Sequence, residues 1–176
     1  MSFNLALILG GARSGKSAHA EQLAKQLAED KGLNLTYIAT SQVYDTEMQE
    51  RVDLHKRRRN AEWKTVEEPV LLLESLQREA KPDTVVLVDC LTLWLTNLIL
   101  NEALDEQDQL DRFVENLSFK GPVILVSNEV GLGIVPENKL ARRFRDLAGT
   151  LHQKIAAKAD LVTLVAAGLP LNLKEN

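Results

Sequence analysis

The run Gly10-Gly11-Ala12-Arg13-Ser14-Gly15-Lys16-Ser17 sets glycines, a lysine and a hydroxyl at the Gly-x-x-x-x-Gly-Lys-Ser spacing of the Walker A pattern. Without a Cβ at the glycines, backbone N–H groups can approach phosphate oxygens, and the positive end of a following helix favours the anion. Lys16 adds a point charge, and Ser17 adds a hydroxyl ligand for Mg²⁺, which takes one or two protein oxygens besides those of the phosphates. This chemistry is phosphate binding from a nucleoside triphosphate. In such loops a strand-end acid also holds the ion, and Asp89, after Val85-Val86-Leu87-Val88, fits that role. The alternative for Asp89 is the N-cap of a helix over Leu91 to Leu100.

Other residues fall where the same rim is expected. Thr40 and Ser41 follow an apolar run and can bond phosphate or ribose, or only cap what comes next. Asn128-Glu129-Val130-Gly131-Leu132-Gly133-Ile134-Val135-Pro136 combines polar groups with flexible glycines, as suits a loop that closes over substrate or a plain connection. Arg51, His55, Arg58 and Arg59 share one face if their segment is helical. Such a face can hold a phosphate chain, and a neutral imidazole on it can attack phosphorus. Spacing alone favours the other reading, a solvated basic helix. Glu67 and Glu68 can be a helix N-terminus only. His19 and His152 have no chemical neighbourhood legible from sequence, and Cys90 and Trp94 read as packing residues. No Cys/His set suits a structural zinc site.

The elements that must position these groups alternate. Leu5–Leu9, Leu35–Ala39, Val85–Val88, Val123–Val126 and Leu161–Val165 read as strands, with Trp63–Val66 as a possible sixth. Ala20, Leu23, Ala24, Leu27 and Ala28 recur at helical spacing before a stop at Gly32. Leu140, Phe144, Leu147, Ala148, Leu151 and Ile155 mark a long helix, and Leu71, Leu72, Ser75 and Leu76 a shorter one after Pro69. Between Asn101 and Ser118 an acidic, helix-compatible stretch has Leu104, Leu110, Phe113 and Leu117 available to pack inward. Asn172–Asn176 reads as a short tail. This is an α/β pattern, P-loop NTPase-like, with a mostly parallel central sheet flanked by helices. Parallel strands would gather Gly10, Thr40-Ser41, Asp89, Asn128-Glu129 and Gly168 on one edge.

Bulk properties narrow the function. The 176 residues, 45% hydrophobic, suffice for one core and are read as one domain over 1–176. A net charge of −4 argues against a general nucleic-acid binder. The single cysteine and the absence of a secretory pattern at the N-terminus point to the cytoplasm. The longest apolar stretch, Leu91 to Leu100, is too short to span a bilayer.

The sequence resembles the bifunctional adenosylcobinamide kinase / adenosylcobinamide-phosphate guanylyltransferase family of cobalamin biosynthesis over nearly its whole length. The likeness is carried by Gly10 to Ser17, Tyr37-Ile38-Ala39-Thr40-Ser41, and Asp45-x-Glu47-Met48 through Arg51, His55, Arg59, Trp63 and Thr65. It continues in Asp89-Cys90-Leu91-Thr92-Leu93-Trp94-Leu95, Asn128 to Pro136, Arg143-Phe144-Arg145-Asp146 and Gly168-Leu169-Pro170. The resemblance implies phosphorylation of the corrinoid's aminopropanol hydroxyl by ATP or GTP, then GMP transfer from GTP with release of pyrophosphate. It places His55 on the family's guanylylated histidine, a role that spacing alone does not give. It likewise makes Gly10, Gly11, Ala12, Arg13, Ser14, Gly15, Lys16, Ser17, Ala39, Thr40, Ser41, Lys56, Arg57, Arg58, Arg59, Glu67 and Asp89 nucleotide contacts. Lys16 is then expected to join His55 in catalysis, with Ser17 and Asp89 expected to hold Mg²⁺. A homo-oligomer, a trimer, is also implied.

Two other functions need different residues. A plain small-molecule kinase would use the same loop and Asp89 but no nucleophilic histidine. A GTP switch would carry Asn-Lys-x-Asp and a strand-end Asp-x-x-Gly. Asn138-Lys139-Leu140-Ala141 lacks the aspartate, and Asp146-Leu147-Ala148-Gly149 sits inside a helical pattern.

Overall fold

The inner apolar runs carry core residues on both faces and pair side by side within one seven-stranded sheet. The computed structural model describes residues 3–42 and 62–175. In chain order the elements are β1 (Leu5–Gly10), α1 (Lys16–Lys31), β2 (Asn34–Ala39), β3 (Trp63–Glu67), α2 (Leu72–Glu79) and β4 (Thr84–Asp89). They continue with α3 (Leu91–Leu100), α4 (Glu106–Glu115), β5 (Val123–Asn128), α5 (Lys139–Lys158), β6 (Leu161–Ala166) and β7 (Leu169–Glu175). The strand order is β3-β2-β4-β5-β1-β6-β7, parallel throughout except for the antiparallel β6–β7 pair. This is the fold class the sequence implied.

Alternation along each strand builds two cores. Ala6, Ile8, Val85, Leu87, Ile124 and Val126 face the side covered by α1, whose Ala20, Leu23, Ala24, Leu27 and Ala28 are all buried. Leu5, Leu7, Val86, Val88, Val123 and Leu125 face the other, where Trp94 of α3 and Phe113 of α4 pack at a ring separation of 4.7 Å. Helix α1 ends where expected, at Gly32 in the left-handed conformation, φ 64°.

Three expectations need correction. The sheet has a seventh strand, so Asn172–Glu175 is not a tail but part of β7. Its leucines form no buried run: Leu169, Leu171 and Leu173 are all exposed. Leu71 does not belong to the apolar face of α2; it is the exposed N-cap. Leu140 is exposed in the first turn of α5, while Ala148, Leu151 and Ile155 carry that helix's buried face.

Candidate functional site

The phosphate loop leaves the carboxyl end of β1 and wraps the amino end of α1. Gly10, the last residue of β1, is paired with Asn128 on one side and Val165 on the other. A Cβ there would come within 2.4 Å of Ser14 Oγ and 2.6 Å of the Val165 carbonyl oxygen, so the turn requires glycine. Gly15 caps α1 at φ 95°, another conformation suited to glycine, and Arg13 also has positive φ, 57°.

The β6–β7 turn braces this loop from beneath. Ala167 and Gly168 have φ of 52° and 78°, the paired positive values of a two-residue hairpin turn. The Gly168 N–H donates to Ser14 O at 2.8 Å. Lys16, only 8% exposed, folds back so that Nζ donates to Gly11 O at 3.2 Å. The Ser14 hydroxyl is buried in the loop without a hydrogen-bond partner among the described residues. A lysine drawn across a glycine loop at a helix N-terminus is an arrangement that suits an anion.

Parallel pairing brings the other rim residues alongside. Ala39 stands opposite Glu67 of β3 and Asp89 of β4 at the carboxyl edge. Asp89 is half-buried there, and the N-cap of α3 is Cys90, so the capping alternative for Asp89 does not hold. Strand β5 lies between β1 and the Asp89 strand, which places Asn128 beside Gly10. Asn128 Nδ2 donates to Thr92 Oγ1 at 2.8 Å, linking β5 to α3 across the rim.

The residues present suit Mg²⁺. Among the described residues no cluster of three His, Cys, Asp or Glu side chains forms an all-protein cage. Ser17 in the first turn of α1 and Asp89 instead offer one hydroxyl and one carboxylate, the small oxygen set that this ion accepts beside phosphate oxygens.

Thr40 has a task of its own. Its hydroxyl donates to Cys90 O at 2.7 Å and accepts from Cys90 N at 2.9 Å, fully buried. Asn97 of α3 donates to Thr40 O at 2.8 Å and Pro69 O at 2.9 Å. The ends of β2 and β4 are thereby tied together, and Ser41 follows, half-buried. Glu68 accepts from Val70 N and Leu71 N at 3.1 and 2.8 Å, the helix-entry role foreseen as one reading. Arg51, His55, Lys56, Arg57, Arg58 and Arg59 lie outside the described residues.

Burial, with the nearby Asp89 carboxylate, pushes the Cys90 thiol up to about 11, so this cysteine is a packing residue as expected. His152 gains a neighbour that sequence did not reveal: its Nε2 lies 2.7 Å from Ser127 Oγ on β5. Burial lowers its pKa, opposed by the Glu129 carboxylate. Burial also lowers that of His19.

The loop after β5 is tied to the site. Glu129 N–H donates to Gly10 O at 3.0 Å, and the Glu129 carboxylate accepts from Gly131 N and Leu132 N at 2.7 and 3.1 Å. The two switch-like tetrads belong to α5: Asn138 is its N-cap, accepting from Ala141 N, and Asp146 to Gly149 lie within it. Sequence reading gave no part to the Tyr37 hydroxyl, which donates to Asp89 Oδ2 at 3.1 Å. Its signal was slender, a lone tyrosine two residues before a strand end.

Comparison with known proteins agrees with this geometry. The family profile described as "Cobinamide kinase / cobinamide phosphate guanyltransferase" matches residues 6–173. The bifunctional adenosylcobalamin biosynthesis protein CobP of Pseudomonas aeruginosa is 51% identical over 173 residues, 96% of each chain. The bifunctional adenosylcobalamin biosynthesis protein CobU of Salmonella typhimurium is 40% identical over 184 residues, 96% of this chain and 98% of its own. In fold, the flagellar accessory protein FlaH of Methanocaldococcus jannaschii is similar with a TM-score of 0.55 at 16% identity, covering 98% of this chain and 79% of that one. A KaiC-like protein of Pyrococcus horikoshii gives 0.51 at 16% identity, covering 92% and 70%. These two likenesses concern the P-loop NTPase fold alone. The full-length match to the profile and to bifunctional relatives, on a chain with this phosphate loop, makes the protein an enzyme of the cobinamide kinase / cobinamide phosphate guanyltransferase family.

Proposed function

We propose that this enzyme phosphorylates adenosylcobinamide with ATP or GTP and then converts the product to adenosylcobinamide-GDP, using GTP and releasing pyrophosphate. One observation carries the reading: the Lys16 loop and Asp89 share a strand-end rim in a chain whose family match runs from 6 to 173.

In the first reaction the acceptor hydroxyl attacks the γ-phosphorus, its bond to the bridging oxygen breaks, and the nucleoside diphosphate leaves. Lys16 and the loop N–H groups hold the polyphosphate in line and offset charge on the leaving oxygens. In the second, the His55 imidazole attacks the α-phosphorus of GTP and pyrophosphate departs, leaving GMP on nitrogen. The corrinoid phosphate then displaces the histidine. Arg58 or Arg59 holds the nucleotide, with Lys56, Arg57, Ala39, Thr40, Ser41 and Glu67 as further contacts. Ser17 and Asp89 would hold Mg²⁺, which when bound neutralises polyphosphate charge.

The chain acts as one domain over 1–176, as a cytoplasmic homotrimer. The exposed leucines of edge strand β7 support association between copies. No helix among the described residues is long and apolar enough to cross a membrane.

Supplying adenosylcobinamide, Mg²⁺ and GTP and resolving the corrinoid products tests the assignment. Wild type is expected to yield the GDP-linked corrinoid, and His55→Ala to stop at the phosphate. A GDP-linked product from His55→Ala would refute the histidine route, and no phosphorylated corrinoid from wild type would refute the whole assignment.

A further inference from the structure

Asp89 is held by more than its own strand. Tyr37 pairs with Leu87 in the parallel β2–β4 ladder, so Asp89, two residues further on, projects from the same face of the sheet one step nearer the rim. That register explains the 3.1 Å bond from the Tyr37 hydroxyl to Asp89 Oδ2. The tyrosine ring is itself seated: it is 3% exposed and meets Trp63 edge-on, with centroids 6.0 Å apart and planes at 84°. Behind Asp89, Thr40 grips the Cys90 peptide on both its N–H and its carbonyl. Main chain and one carboxylate oxygen are therefore fixed from β2 and the residue that follows it.

We propose that Tyr37 is a positioning residue for the divalent ion, occupying Oδ2 of Asp89 so that Oδ1 is reserved for the ion's coordination shell. Tyr37 touches neither metal nor nucleotide in this role. A carboxylate's terminal torsion is broad and nearly two-fold when free, so an ion meeting an unfixed Asp89 must order it on binding. The bond from a packed, buried phenol removes that requirement, as outer-shell partners of metal ligands do. The inference rests on Asp89 being the metal acid.

The test uses Mn²⁺ as a paramagnetic stand-in, titrated into full-length protein in excess over a β,γ-non-hydrolysable GTP analogue, with free Mn²⁺ read by electron paramagnetic resonance. Tyr37→Phe keeps the ring and is expected to weaken Mn²⁺ binding about tenfold. Its affinity for the analogue in EDTA should stay at the wild-type value. Asp89→Asn is expected to weaken Mn²⁺ binding at least as much, and the double variant no further, because the two act through one oxygen pair. Tyr37→Met, also apolar and of similar length, should behave like Tyr37→Phe and guards against a folding defect peculiar to one variant. Unchanged or tighter Mn²⁺ binding in Tyr37→Phe, with Asp89→Asn impaired, would overturn the role of Tyr37. So would a double variant weakened by the product of the two single effects. Unchanged binding in Asp89→Asn would overturn the metal-acid reading beneath it.

Discussion

Replacing Gly10 by alanine adds a single carbon where the fold has no room for it. That carbon would lie 2.4 Å from Ser14 Oγ and 2.6 Å from the Val165 carbonyl, short of ordinary contact by about 1 Å. Ser14 can turn away, but only by disturbing the loop that Lys16 crosses. Val165 cannot retreat, because β6 is hydrogen-bonded to β1 on one side and β7 on the other. Overpacking of this kind costs about 1–3 kcal/mol, and the unfolded-state gain of glycine-to-alanine returns about 0.4–1. At the middle of both ranges a net loss of about 1.3 kcal/mol should lower the thermal midpoint by about 3–5 °C for a chain of this size. Gly11→Ala is the control, since no atom of the described residues lies within 4 Å of its added carbon. Urea unfolding of nucleotide-free wild type, Gly10→Ala and Gly11→Ala measures the difference. Equal midpoints for the two variants would refute the steric argument.

Three further outcomes are expected. Lys16→Ala should leave the urea midpoint nearly unchanged, because among the described residues Nζ bonds only a loop carbonyl; loss of its charged contact should weaken triphosphate binding about ten- to a hundredfold by calorimetry. Thr40→Val keeps the shape but leaves the buried Cys90 N–H without its partner, costing about 1–3 kcal/mol in urea unfolding; wild-type stability would show that the brace is unimportant. Burial lowers the folded pKa of His152 below 6.5, so the unfolded chain binds the extra proton first as pH falls. Its contribution is therefore complete above 6.5 and is lost as pH drops from there through the folded value, and His152→Gln should flatten the fall in urea midpoint between pH 7.5 and 5.5.

What sequence made legible follows physical lines. Buried strands such as Val85–Val88 declare themselves as continuous apolar runs, and α1 as a periodic stripe ending at Gly32, because one face of each must leave water. The phosphate loop was legible because its chemistry is local: eight consecutive residues carry it. Strand β7 was not, since an edge strand with exposed leucines needs no buried run; its signal lay in the alternation of Leu169, Leu171 and Leu173 behind the Ala167-Gly168 turn. The tasks of Tyr37, Thr40, Asn128 and His152 depend on strand register and helix placement between residues 25 to 52 positions apart, which no local pattern encodes. His55 became a candidate nucleophile through family likeness, because a histidine among arginines is equally the pattern of a solvated helix face.

The nucleophilic role of His55 is the central claim, and covalent labelling tests it most directly. Protein incubated with Mg²⁺ and α-labelled GTP, without corrinoid, is expected to retain an acid-labile, base-stable label that His55→Ala lacks. An unlabelled wild type that still binds GTP, or a His55→Ala variant that labels equally, would contradict the guanylyl-histidine route and leave the protein a kinase alone.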